Sequence, residues 1–309
     1  MVAQRPSVRH FYRSMKDFQP LDKSCSSCAI VSSSGQLLGK GAGKEIDNAS
    51  CVLRMNTAPV TGFEEDVGAR TTLRILCFIS VKALQKEGNG YLLGPSRPET
   101  VLFWGLNQEK HKSAKVIAEE VFQKYIDSVD FYSQTQEGEL EAGRVFMNET
   151  GFQRADTNTW LSTGWFTIML ALDMCREIKI YGMVPEEYCK THQKEPTKYH
   201  YYQKNQSPTE CGYYASHEAS RKGGHRFITE KAVFAKWAKK FNISLHHPEW
   251  DLDNVNLSKP IDTPFAHRQV VLQKERQRWK HTMNILFKVI AVIAALICSM
   301  CPRYLLISL

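Results

Sequence analysis

Three sets of residues in this chain have the types and neighbours that chemistry needs. Ser162, Thr163 and Gly164 stand where a hydroxyl-rich loop runs into the apolar stretch that begins at Trp165, and so at the start of a helix. A helix N-terminus leaves backbone N–H groups without intrahelical acceptors, which suits a phosphate or a carboxylate, and two hydroxyls would add donors. The same residue types also close helix ends, so Ser162 or Thr163 can equally serve as a cap. His225 follows Gly223-Gly224 and precedes a second helix; an imidazole there either moves a proton or only caps a surface helix. Asn56 ends the run Val52-Leu53-Arg54-Met55, where it either points into a ligand crevice from the end of a strand or opens a turn before Pro59. Asp251-Leu252-Asp253 spells the D-x-D that holds a metal in many sugar-nucleotide enzymes. It lies among polar residues after the last core-like element, and we read it as a chance match with no metal site.

These residues need elements to position them. After Ser162 the helix is apolar almost all round, with Phe166, Met169, Leu170 and Met174 on one side and Ile168, Leu172 and Cys175 on the other, so it should be buried. Ile178 and Ile180 then alternate with Glu177 and Lys179 in a strand ending at Tyr181-Gly182. Upstream, an apolar strand from Cys28 enters Ser32-Ser33-Ser34-Gly35 without a G-x-G-x-x-G fingerprint, which excludes a standard dinucleotide loop. Further strands are expected over Thr71 to Val81 and Thr100 to Trp104, separated by a Gly/Pro-rich stretch, Glu87 to Pro98. Ser113 to Ile126 reads as a helix with Ile117, Val121 and Tyr125 in step. The helix after His225 should turn Val233, Trp237 and Phe241 inward and Lys231, Lys236, Lys239 and Lys240 to water. Strands alternating with helices predict one α/β domain around a mostly parallel sheet.

Composition bounds the partners. The 309 residues carry a formal charge of +8, with basic residues concentrated in Arg221 to Lys240 and Lys274 to Lys280. That balance suits an anionic substrate or a membrane surface; with no nucleic-acid-binding signature beside it, no nucleic-acid partner is expected. Of the nine cysteines, Cys25 and Cys28 make one C-x-x-C step with no second partner pair following in the folded region, and N-x-S/T sequons start at Asn48, Asn148, Asn205, Asn242 and Asn256. Together they favour disulfides and an oxidising compartment. Met283 to Cys301 is apolar and long enough for a membrane-spanning helix, with Arg278, Trp279 and Lys280 flanking it.

Taken together, four stretches resemble the sialylmotifs of animal sialyltransferases, with wording similar to the α-N-acetylgalactosaminide α-2,6-sialyltransferases of subgroup III to VI. Cys28 to Gly35, with Arg54-Met55-Asn56 and Glu65 to Gly68, resembles the large motif; Leu161 to Thr167, with Tyr181-Gly182-Met183, resembles the small one. His200-Tyr201-Tyr202 is similar to the third motif, and His225 with Glu230 fits the H-x4-E of the fourth. The resemblance implies a single α/β/α Rossmann-like domain of the GT-A variant type, over residues 25–250. It implies metal-independent, inverting transfer of sialic acid from CMP-sialic acid, with no cofactor, in α2,6 linkage to GalNAc of (sialyl)Galβ1,3GalNAc on glycoproteins or gangliosides. It further implies that Ser33, Asn56, Ser162, Thr163, Gly164, Gly182 and Tyr201 bind the donor. His200 would stabilise the departing phosphate, His225 would be the general base, and Glu230 would hold His225 in orientation or favour the helix N-terminus.

The family pairs Cys28 with Cys175. We also expect Cys189 with Cys211 and Cys25 with Cys51; seven cysteines precede the tail, so one stays unpaired, and Cys77 in an apolar strand is our choice. Residues 1–24 are expected to be a stem-like linker, 251–282 a polar and basic linker, and 283–301 a transmembrane segment. The family implies a Golgi membrane location with a lumenal catalytic domain. Its anchor is N-terminal, so the ends of this chain are expected to differ from those of the native protein. The wording departs from the family at Ser33, at Cys77-Phe78 and at Gln203, where an acidic residue is usual, which motivates an alternative expectation: a catalytically weak glycan- or CMP-binding relative.

Overall fold

The alternating apolar runs assemble into one eight-stranded sheet in a computed structural model that describes residues 5–203 and 208–300. The strands are β1 (Tyr12–Ser14), β2 (Cys25–Val31), β3 (Cys51–Met55), β4 (Leu73–Cys77), β5 (Thr100–Trp104), β6 (Asp130–Gln134), β7 (Cys175–Tyr181) and β8 (Ile243–His246). Their order across the sheet is β1-β6-β5-β4-β3-β2-β7-β8, all parallel except β1, which runs antiparallel to β6. The helices are α1 (Gly43–Asp47), α2 (Glu64–Val67), α3 (Val81–Leu92), α4 (Lys112–Tyr125), α5 (Gln136–Thr150), α6 (Thr163–Met174), α7 (Tyr188–Thr191), α8 (Glu210–Ala219), α9 (Phe227–Lys240) and α10 (Pro264–Met300). Residues up to Thr263 form one compact unit and those from Pro264 a second.

Strand order fixes where a ligand can sit. From β2 the chain builds outward through β3, β4, β5 and β6, then returns to place β7 against the other side of β2. In an open parallel sheet such a reversal leaves a crevice beyond the carboxyl ends of the flanking strands. The loops after β2, β3, β4 and β7 meet there. The helix between them, α6, is buried on every side, Trp165, Ile168, Leu170, Ala171 and Leu172 being wholly inaccessible, as its apolar circumference requires.

Disulfides join Cys28 to Cys175, Cys25 to Cys51 and Cys189 to Cys211, and Cys77 is the free cysteine among the described residues. All four expectations match. Of the sequon asparagines, Asn48, Asn148, Asn242 and Asn256 are exposed, whereas Asn205 lies outside the described residues.

Several expectations need correction. Part of the amino-terminal segment read as linker is structural: Tyr12 is buried, β1 pairs with β6, and the Asp173 carboxylate accepts the N–H groups of Val8 and Arg9 at 2.6 and 2.7 Å. Three residues of strand are too few to show a period. The strand read as Thr71 to Val81 ends at Cys77, where the chain turns into α3. Gly88 and Gly90 had suggested a loop there, but Gly88 is where α3 meets α4: a Cβ on it would lie 2.8 Å from the Tyr125 hydroxyl. Lys231, read as facing water, is buried.

The second unit is α10, 37 residues of which most described side chains are exposed, and it is long and apolar enough to cross a membrane. Within the expected span 283–301, Cys301 lies outside the described residues.

Candidate active site

Beyond the carboxyl ends of β2, β3, β4 and β7 lies a cleft of about 340 Å³. Ser33 and its neighbours line it after β2, Asn56 after β3, Cys77 and Phe78 after β4, and Gly182 after β7. Ser162, Thr163 and Gly164 line it from the start of α6, and His200, His225 and Glu230 close it. Nine of the ten sequence-selected ligand and catalytic residues thus converge, from segments more than 190 positions apart. Gly182 is required by the closeness of the walls. Its φ is +75°, and a Cβ would stand 2.6 Å from Leu37 and 2.7 Å from the Ser32 hydroxyl, which itself donates to the Gly182 carbonyl at 2.8 Å.

The start of α6 is both capped and open. The Ser162 hydroxyl accepts the Trp165 N–H at 3.1 Å, the cap anticipated from its residue type. That same hydroxyl donates to Glu230, whose other carboxylate oxygen accepts the Ser162 N–H at 2.9 Å. The N–H groups of Thr163 and Gly164 have no acceptor among the described residues, and they border the cleft. Asn56, at φ +50°, is held from three sides: Arg74 donates to its carbonyl at 2.8 Å, while its side-chain oxygen accepts the Cys77 N–H and the Ser80 hydroxyl, each at 3.1 Å. Its amide nitrogen is left to face Thr163, 3.3 Å from that hydroxyl.

His225 has a defined tautomer. Its Nδ1 lies 3.0 Å from the Trp160 carbonyl, which can only accept, so Nδ1 carries the proton and Nε2 keeps its lone pair. Its backbone N–H donates to Nδ1 of His217 at 3.1 Å, and the two imidazoles stack at 5.6 Å. Burial pushes the His225 pKa down to about 4, with the neighbouring His217 and Arg226 acting in the same direction and the Trp160 carbonyl against it. It is therefore neutral at neutral pH, the state a proton acceptor needs. His200 is also lowered to about 4 by burial, among Tyr199 and Tyr202. Its backbone N–H donates to the Gln203 side-chain oxygen at 3.2 Å, a bond that an amide oxygen accepts as a carboxylate would.

The family model of glycosyltransferase family 29 (sialyltransferase) matches residues 3–241. The chain belongs to this sialyltransferase family. It is 44% identical over 81% of its length to 82% of the mouse alpha-N-acetylgalactosaminide alpha-2,6-sialyltransferase 3. It is 42% identical over 79% of its length to 82% of a human alpha-N-acetyl-neuraminyl-2,3-beta-galactosyl-1,3-N-acetyl-galactosaminide alpha-2,6-sialyltransferase. The human alpha-N-acetylgalactosaminide alpha-2,6-sialyltransferase 6 is 39% identical over 74% of this chain and 70% of its own.

Within this sialyltransferase cleft two expectations change. Tyr201 is not among the residues lining it: the ring is buried against Phe63, its hydroxyl donates to the Pro59 carbonyl, and its N–H donates to Ser33 at 2.8 Å. An aromatic ring between two polar loops packs inward, and Tyr201 holds the Ser33 loop from behind. Glu230 makes its side-chain hydrogen bonds to Ser162 and none to His225, so of its two expected roles only the placement in the first turn of α9 fits; Trp160 and His217 orient the histidine.

Residues that the sequence reading did not single out also line the site. Lys231 is buried with its ammonium 4.3 Å from the Tyr214 ring centre; burial lowers its pKa to about 8 against the raising pull of Glu210 and Glu230. The signal that misled was the run of lysines along α9, which has a dry side at its first turn. Phe78 stacks on His111 at 3.5 Å and meets Trp104 edge-on, so the departure at Cys77-Phe78 builds an apolar wall.

Proposed function

We propose that the chain is a metal-independent, inverting α2,6-sialyltransferase of the GT-A variant type. In this reading it transfers sialic acid from CMP-sialic acid to GalNAc of a sialylated Galβ1,3GalNAc unit on glycoprotein or ganglioside. The observation that carries this is the His225 tautomer: with Nδ1 committed to Trp160, Nε2 is an available base in the same cleft as the open N-terminus of α6. The names of the relatives at 39–44% identity support the linkage and the acceptor.

In the proposed reaction the acceptor hydroxyl attacks the anomeric carbon while Nε2 of His225 takes its proton. The bond to the CMP phosphate breaks from the opposite face, which inverts the centre. The Thr163 and Gly164 N–H groups, with one imidazole N–H from His200, meet the charge that develops on the leaving phosphate. Lys231, which lines the same cleft and with a pKa of about 8 stays mostly protonated at neutral pH, adds positive charge there. Ser33, Asn56 and Gly182 hold the nucleotide. The residues present offer little to a metal: Glu230 is the one carboxylate lining the cleft among the described residues, with both oxygens accepting from Ser162, while Asp251 and Asp253 are exposed outside it.

We further place the catalytic unit in the Golgi lumen, on the membrane. Three disulfides and four exposed sequons support a lumenal domain, and α10 could supply a membrane contact. The test is CMP release from CMP-sialic acid with defined GalNAc-containing acceptors, followed by linkage analysis of the product. No acceptor-dependent release would leave a CMP- or glycan-binding relative as the reading; a product linked elsewhere than α2,6 would overturn the linkage.

A further inference from the structure

The crevice does not end at the cleft. A second and larger cavity, of about 830 Å³, continues from it along the carboxyl ends of β5 and β6, and Trp160 lines both. Trp160 is partly exposed, and its ring meets the His225 imidazole edge-on at 6.1 Å. A sugar whose hydroxyl reaches Nε2 of His225 therefore lies against Trp160, and whatever that sugar is attached to has the groove beyond as its continuation.

The groove is built for polyols and an anion. Gln108, Gln136, Gln153 and Asn158 present side-chain amides, the mixed donors and acceptors that sugar hydroxyls match. Glu139 lies at its base, 7% exposed: one carboxylate oxygen accepts the Gln108 amide at 3.1 Å, and the other is buried without a partner. A buried carboxylate oxygen left unmade is costly, so a hydroxyl donor is the missing half of the arrangement. At the rim Arg144 is largely exposed and paired only with Glu141 one helical turn away, a weak surface pair that leaves its planar fork available.

We propose that this groove is an acceptor subsite for an acidic sugar beyond the residue being modified, with Arg144 meeting that sugar's carboxylate and Glu139 accepting a hydroxyl of the chain that carries it. The inference rests on the reading of the cleft as a glycan-transfer site and assigns it the part of the acceptor that transfer does not alter.

Direct binding separates the two readings. The full chain, with CMP present, is titrated with α2,3-sialylated Galβ1,3GalNAc and with the disaccharide lacking sialic acid, and transfer to each is measured in parallel. Arg144→Glu should weaken the trisaccharide roughly tenfold and leave the disaccharide within about twofold, because only the former carries the carboxylate. Glu139→Gln should weaken both by several-fold, and CMP affinity should be unchanged in either variant, which also reports that the fold is intact. A parent protein that binds the two glycans equally, or an Arg144→Glu protein that binds the trisaccharide as the parent does, would overturn the subsite. Loss of trisaccharide binding in the variant of a protein that transfers nothing would keep the subsite and remove the transfer reading.

Discussion

The Glu230 carboxylate accepts both the backbone N–H and the hydroxyl of Ser162, 68 positions earlier in the chain. This ties the first turn of α9 to the N-cap of α6, so one buried acid sets the position of the N–H groups proposed to hold the phosphate. Leaving buried hydrogen-bonding groups of this kind unpaired costs about 1–3 kcal/mol. Glu230→Gln keeps the size, removes the charge and turns one acceptor into a donor facing a donor. We expect CMP affinity to fall roughly tenfold, in line with that energy, with a lower melting temperature. Had the H-x4-E spacing meant that Glu230 orients the base, the same variant would lose turnover and keep its CMP affinity. Titration of CMP alongside the transfer rate distinguishes the two.

On the proposed mechanism the two histidines fail differently. His225→Ala removes the proton acceptor, so turnover should fall roughly 10²–10⁴-fold while CMP binding stays nearly intact. His200→Ala removes a donor to the phosphate, so both CMP affinity and turnover should drop. A His225→Ala protein that transfers sialic acid at close to the parent rate would sink the assignment of the base.

Acidity gives an independent reading of the same residues. With His225 lowered to about 4, the acid limb of kcat/KM should lie near that value and not near the ordinary imidazole value of about 6.5. Stability follows the same protons. An unfolded chain takes them up near 6.5, so the share contributed by keeping His200 and His225 neutral is complete above that pH and drains as pH falls toward 4. Glu230, raised to about 7 chiefly by burial, runs in the opposite sense: its share is complete below the ordinary carboxylate value of about 4.3 and is lost as pH rises through 7. Glu186, Glu210 and Glu218 are raised by burial as Glu230 is, and His217 is lowered as the other two histidines are, so the sign is read from each variant against the parent. In thermal melts between pH 6.5 and 4, Glu230→Gln should lose more stability with falling pH than the parent does, and His225→Ala less.

Much of the site was legible because its chemistry is local in sequence. Ser162 announces a cap by type, the apolar circumference of α6 announces burial, and the four motif stretches mark loops that end strands. What was not legible is set by tertiary contacts. Glu230 and Ser162 bond across 68 positions, so the spacing from His225 pointed to the wrong partner. Tyr201 shares a motif with His200, yet neighbouring residues face opposite ways, and one packs into the core while the other meets the cleft. His217 orients the base from the end of α8, and only the fold brings it there. Gly88 reads as a breaker by composition but is a contact point between helices.

Cys77 offers a test that needs no turnover. It is half-buried and lines the cleft, its N–H is held by Asn56, and its thiol lies 3.4 Å from the Ser80 hydroxyl. If Asn56 binds the nucleotide as proposed, bound CMP covers this thiol. A small maleimide should then label Cys77 slowly in the free protein and at least roughly tenfold more slowly with saturating CMP, since a thiol must be reached to react. Labelling has to be scored on the peptide containing Cys77, because the sequence has two further cysteines in its tail, Cys298 and Cys301, beyond the six that are paired. Cys77→Ser should retain CMP binding, because the contact with Asn56 runs through the backbone N–H. Equal labelling rates with and without CMP, in a protein shown by titration to be saturated, would move the nucleotide away from the carboxyl ends of β3 and β4.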